Sequence, residues 1–127
     1  AAYDLNGKQV NNAMLAKADT AVVIAWATWN YNSMSMLQTV AQIQKEKGSK
    51  MKVLGVCLDY SRSLCRTALR QRDMNDIPTV CDGKAVDGDV YNRLGMSNLP
   101  DNIVIEKGRV TATGLTLEQL RKKLGKE

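Results

Sequence analysis

Apolar runs and stretches of helical spacing alternate along the chain. Residues 21–29 (AVVIAWATW) are apolar and rich in β-branched and aromatic side chains, which predicts a strand buried on both faces. Residues 33–47 follow, with Met36, Leu37, Val40 and Ile43 at helical spacing and Gly48 placed to end the helix. Residues 51–58 (MKVLGVCL) predict a second buried strand. Residues 61–72 predict a second helix with Leu64, Cys65, Ala68 and Leu69 on one face. A short extended segment, 77–81, precedes a short helix, 86–94, with Val90, Tyr91 and Leu94 turned inward. A strand at 102–105 turns at Lys107-Gly108 and returns over 109–113. Thr116 opens the last helix as a capping box with Gln119, and Leu117, Leu120 and Leu124 face inward from it. Near the start, Asn6-Gly7 within residues 4–10 signals a small hairpin. Strands alternating with helices imply an α/β sandwich, its mostly parallel sheet covered on both faces and closed by an antiparallel hairpin.

Composition narrows the chemistry more than the architecture. The 127 residues suit one domain, 1–127, with 44% hydrophobic and 24% charged residues. No apolar run approaches the roughly 18 residues of a membrane helix, and residues 1–4 do not read as a signal peptide. The absence of histidine removes His-based metal sites and Ser-His-Asp or Cys-His nucleophiles. Three cysteines, Cys57, Cys65 and Cys81, include no C-x-x-C and cannot make a four-thiolate zinc site in one chain. No metal and no cofactor are expected. The net charge of +5 is spread out, with small clusters at 45–52 and 121–126. It reads as a solvated surface with a basic last helix, not as a nucleic-acid face.

A known pattern emerges at Trp26-Ala27-Thr28-Trp29-Asn30-Tyr31-Asn32-Ser33. It resembles the W-A-x-W-C-x-x-C of the thioredoxin superfamily, with Asn30 and Ser33 where the two cysteines would stand. Residues 53–59 (VLGVCLD) resemble the V-x-G-V-S-x-D strand of the TlpA/ResA-type, AhpC/TSA-related thiol-disulfide oxidoreductase branch. Residues 80–83 (VCDG) resemble the segment before that branch's short helix. Residues 91–96 with Leu99-Pro100-Asp101-Asn102 resemble its Y-G-V…P-x-N loop and strand, and Lys107-Gly108-Arg109-Val110 its D-G-K-I turn. The resemblance spans nearly the whole chain. It implies a thioredoxin-like three-layer sandwich, a central mixed sheet with helices on both faces and an N-terminal β-hairpin. It also implies a cis-proline at Pro100, and a periplasmic or cell-envelope location.

The missing cysteines change what the fold can do. Thioredoxin chemistry needs a thiolate at a helix N-terminus and a second thiol to resolve the mixed disulfide. Asn30 offers no nucleophile, and Ser33 has a hydroxyl with no base near it in sequence. Both are good helix caps instead. Three readings stand. In the leading one the domain is redox-inactive and binds a protein or peptide segment in a groove of Trp29, Asn30, Tyr31, Asn32, Ser33, Leu99 and Pro100. Met34 and Met36 either extend that groove or belong to the core. It takes no nucleic acid and does not enter a membrane; it could be a module of a larger protein. In the second, Cys65 and Cys81, which the topology carries toward one sheet edge, form a relocated redox pair. Such a link would close a loop of about 15 residues and add about 3 kcal/mol; the alternative is two buried thiols. In the third, the fold is only a spacer. Cys57 reads as a plain buried thiol in a core strand. A peroxidase reading fails, since no cysteine stands near Thr28.

Overall fold

The computed structural model describes residues 2–5, 7–10, 12–59, 61–81 and 99–125. Strand β3 (Thr20–Trp26) lies at the centre of a five-stranded sheet. On one side it pairs in parallel with β4 (Met51–Cys57), which pairs in parallel with β5 (Thr79–Val80). On the other it pairs antiparallel with β6 (Asp101–Glu106), which turns back into β7 (Arg109–Thr113). The order is β5-β4-β3-β6-β7. This is the mixed sheet expected, with parallel strands on one side and the antiparallel hairpin on the other edge.

Alternation along the strands divides the core into two layers. Val22, Ile24 and Trp26 of β3, Val53 and Cys57 of β4, and Val104 of β6 face one layer. It is completed by α2 (Tyr31–Lys47), α3 (Arg62–Gln71) and α4 (Leu117–Lys123). Ala21, Val23, Ala25, Leu54, Val56 and Ile103 face the other layer, where Leu15 of α1 (Asn12–Ala16) packs. Helices therefore sit on both faces. The inward positions expected for α2 are buried, and so are Met34 and Met36, which belong to the core. In α3 the buried stripe is Cys65, Ala68 and Leu69. Leu64, expected on that face, is exposed; it lies one residue around the helix from Cys65 and falls outside the stripe. No helix among the described residues is long and apolar enough to cross a membrane.

The termini of these elements follow from capping. Asn30 accepts from Ser33 N–H at 2.9 Å and starts α2. Ser61 does the same for α3 through Leu64 N–H. Thr116 and Gln119 make the expected capping box, with bonds of 3.1 and 2.9 Å. Gly48 ends α2 with a positive φ of 65° that glycine adopts readily. The N-terminal hairpin, β1 (Ala2–Tyr3) with β2 (Gln9–Val10), lies against the β5 edge: Asp4 bridges Val80, and Leu5 N–H donates to the Thr79 carbonyl at 2.9 Å. An edge otherwise open to pairing is thereby covered. The helix expected at 86–94 and the motif at 91–96 lie outside the described residues.

Two expectations follow. Gly55 faces Trp26 across the β3–β4 pair, and a Cβ there would stand 2.7 Å from Trp26 Nε1 and 2.8 Å from Thr79 Oγ1. Gly55→Ala should destabilise the protein by about 1–3 kcal/mol, read as a lower urea midpoint at unchanged slope. The second concerns Glu106, which accepts from Thr111 Oγ1 at 2.6 Å and pairs with Lys123 Nζ at 3.0 Å. The Thr111 hydrogen bond first, then Lys123, hold its carboxyl below the ordinary 4.5. A depressed acid stabilises the fold above its unfolded value and loses that contribution as pH falls through the folded one. The stability gap between wild type and Glu106→Gln should therefore be largest above pH 4.5 and close in stronger acid; denaturation across pH checks it.

Candidate functional site

The parallel register of β3 and β4 sets Trp26 opposite Cys57. Both strands end there, and their loops meet. The Leu58 N–H still donates to the Trp26 carbonyl at 2.8 Å. One residue further, the chain after β3 is drawn out of the sheet. Thr28 N–H donates to Asp59 Oδ2 at 3.0 Å, and Thr28 Oγ1 donates to Asp59 Oδ1 at 3.0 Å. This is why β3 stops at Trp26 and not at Trp29, where the apolar run ends. Asn30 N–H then closes a turn onto the Ala27 carbonyl at 3.2 Å, and α2 begins.

Asn30 and Ser33, where the resemblance places a C-x-x-C, have distinct structural tasks. Asn30 caps α2, as its residue type suggests. Ser33 is buried; its Oγ accepts from Ala27 N–H at 3.1 Å and donates to the Asn30 carbonyl at 2.8 Å. It ties the helix start to the strand end. Trp29 and Tyr31 stand out from this edge, 66% and 79% exposed, and Asn32 is exposed beside them. Leu99 and Pro100 are half-buried, and the peptide bond between them is cis.

The sulfur chemistry lies elsewhere, and it corrects the sequence expectation. The disulfide joins Cys57 to Cys65, not Cys65 to Cys81. Their Cα atoms are 6.6 Å apart, within the span a disulfide bridges. Cys57 shares its strand face with Val53, so its side chain points into the layer that α3 covers. The loop between β4 and α3 is short, and Cys65 lies in the first turn of that helix. The helix therefore lays Cys65 back over the strand end that carries Cys57. Over a sequence separation of 8, the bond stabilises the fold by about 2.5 kcal/mol on the chain-entropy estimate. Cys81 is outside the bond but inside the cluster. Its Sγ is 3.3 Å from Cys65 Sγ and 3.3 Å from the Asp59 carbonyl oxygen, to which its thiol donates. The expectation that Cys65 and Cys81 share one edge holds; the expectation that they bond to one another does not.

Asp59 organises the centre. It is buried, and its Oδ2 lies 3.5 Å from Cys57 Sγ and 3.8 Å from Cys65 Sγ. All three sulfurs lie within 4.8 Å of one another and are buried. The three-cysteine group is thus a single centre built by β4, α3 and the segment after β5, with a carboxylate against it. Reading the residues alone missed Cys57 and Asp59 as members. The available signal was strand parity: Cys57 alternates with Val53 onto the helix-covered face, eight residues before a cysteine on that helix.

No protein-family model matches the chain, and no curated protein matches it. Solved structures do. A thiol-disulfide oxidoreductase from Bacteroides fragilis NCTC 9343 superposes with a TM-score of 0.82 at 21% identity, covering 97% of this chain and 92% of that one. A secreted Mycobacterium tuberculosis disulfide oxidoreductase gives 0.79 at 14% identity, with 97% and 92% covered. The exposed lipoprotein thioredoxin of Streptococcus pneumoniae TIGR4 gives 0.74 at 20% identity, with 97% and 95% covered. At these identities the likeness is one of fold. The chain has the thioredoxin-like α/β fold, and its structural neighbours are thiol-disulfide oxidoreductases of that fold.

Proposed function

We propose that this chain is a thiol-disulfide redox protein whose reactive group is the Cys57–Cys65 disulfide, displaced from the helix start where the fold ordinarily carries its cysteines. The observation that carries the reading is the bond itself, held against Asp59 at the ends of β3 and β4. This replaces the redox-inactive reading of the sequence, which treated Cys57 as inert.

The chemistry follows from exchange. An incoming thiolate attacks one sulfur of the pair, forms a mixed disulfide and expels the other as a thiolate. A second thiolate from the same reductant cleaves the mixed disulfide. The two electrons end on Cys57 and Cys65, and the reductant leaves as a disulfide. Each cysteine then carries a proton, with Asp59 Oδ2 placed to accept from either S–H. Burial sets the terms of access. Cys57 is 3% exposed and Cys65 fully buried, so exchange proceeds through local opening of this edge. A cell-envelope location suits such a disulfide, since oxidising compartments preserve it. It is also in keeping with the secreted and lipoprotein proteins among the structural neighbours.

A second reading concerns docking. Trp29 and Tyr31 are large and exposed beside the same edge, and they are the features that favour a protein or peptide segment as partner. Trp26 is buried, so Trp29 is the exposed one of the chain's two tryptophans.

Each reading has its measurement. Alkylation of denatured protein should modify one thiol before reduction and three after it, and equilibration with thiol buffers should give a potential above roughly −300 mV. A lower potential would make the bond a structural staple, and retained exchange in both Cys57→Ser and Cys65→Ser would remove it from the chemistry. For docking, a reduced or unfolded client protein should shield Trp29 from acrylamide quenching, and Trp29→Ala should weaken capture roughly tenfold, about 1.4 kcal/mol. Unchanged quenching and unchanged capture would remove the groove.

A further inference from the structure

The disulfide leaves one part of its surroundings unexplained. A two-cysteine exchange centre has no need of a third buried cysteine and a buried carboxylate packed against the same two sulfurs. Here Cys81 Sγ lies 3.3 Å from Cys65 Sγ, and the three sulfurs lie within 4.8 Å of one another. Asp59 Oδ2 lies 3.5 Å from Cys57 Sγ and 3.8 Å from Cys65 Sγ. From this we infer that the reduced protein is a zinc-binding protein. Cys57, Cys65, Cys81 and Asp59 are its four ligands, and oxidation of Cys57 and Cys65 to the disulfide dismantles the site. The inference rests on the preceding reading that the bond is reducible.

In a tetrahedral site with Zn–S of about 2.3 Å and Zn–O of about 2.0–2.2 Å, sulfurs stand roughly 3.8 Å apart and the oxygen roughly 3.5 Å from each sulfur. The Cys65–Cys81 separation is shorter than this by half an ångström, and the Asp59 Oδ2 contacts to Cys57 and Cys65 match it; at Cys81 it is the Asp59 carbonyl oxygen that stands at 3.3 Å, so the carboxylate must turn toward that sulfur to complete the set. Cleaving the disulfide lets Cys57 and Cys65 part to the required distance, a movement of side chains at a strand end and a helix start. The second shell is already present, since Thr28 N–H and Oγ1 both hold the Asp59 carboxylate. Such outer bonds orient a ligand and raise its metal affinity. Thiolates select thiophilic cations such as zinc over magnesium or calcium. Burial of all four residues gives a closed structural site with no open position.

The absence of histidine and the count of three cysteines exclude histidine ligands and a four-thiolate set. Three thiolates with one carboxylate, at positions 57, 59, 65 and 81, remain open to the chain, and these ligands come from three separate segments. The redox step balances with a dithiol reductant. It gives two electrons and two protons, the Cys57–Cys65 bond breaks to two thiols, and the reductant becomes a disulfide. Zinc then displaces the protons of the three thiols into solvent.

The test uses the whole chain, reduced by a phosphine and transferred to anaerobic buffer, with zinc titrated against a chromophoric chelator and cobalt as the spectroscopic probe. Wild type should bind one zinc per chain when reduced and none when oxidised, and cobalt should show tetrahedral bands with thiolate charge transfer. Cys81→Ser should lose about a third of that charge-transfer intensity, as one of three thiolates goes. Thr28→Val should weaken zinc binding about tenfold without changing the number of thiolates. If a buried serine hydroxyl unfolds the chain, Cys81→Ala serves in its place. Reduced, folded wild type with three alkylatable thiols that leaves zinc on the chelator would overturn the inference while leaving the exchange reading intact, and so would unchanged cobalt spectra in both Cys81 variants. Should the native disulfide resist reduction, the exchange reading fails alone. Protein reduced in denaturant and refolded with reductant then decides the zinc site by the same readouts.

Discussion

The parallel register of β3 on β4 sets Trp26 opposite Cys57 and so places every loop and side chain at that end of the sheet. Both strands end at the same level, so the loops leaving them share one edge. Thr28 and Asp59 meet there only because of that register, and their paired bonds turn the chain out of the sheet and into α2. Shifting the register by one residue would send Cys57 to the opposite face, away from α3, and would move the alternating core residues of β3 and β4 with it.

The same edge holds two sites of different character. The first, at Asn30 and Ser33, is the cap of α2 tied to the end of β3. Its hydrogen bonds satisfy Ser33 N–H and Ala27 N–H, groups that the start of a helix and the end of a strand would otherwise leave orphaned. The second, at Cys57, Cys65, Cys81 and Asp59, lies beneath the helix layer. All four side chains are buried there. Trp29 and Tyr31, both exposed, flank Asn30 in the chain.

Much of this fold was legible in the chain because its signals are local. Buried parallel strands show as apolar runs, α2 shows as a periodic stripe, and the Thr116–Gln119 capping box is written in adjacent residues and forms as written. The candidate site was legible only in part. The cap at Asn30 follows from residue type and position. Leu64 and the end of β3 were misplaced because each depends on a contact from elsewhere: the docking angle of α3 for Leu64, and the Asp59 carboxylate for residues 27–29.

The sulfur pairing marks the limit most clearly. Residue order alone shows three cysteines, no C-x-x-C, and all three in core-forming segments. Which two would bond was decided by the tertiary structure, because a disulfide depends on the separation and direction of two Cβ atoms and not on their distance along the chain. Strand parity turns Cys57 toward the helix layer, and the short loop lays the first turn of α3, with Cys65, over it. Cys81 arrived beside the pair because β5 pairs with β4 in parallel and ends at the same edge.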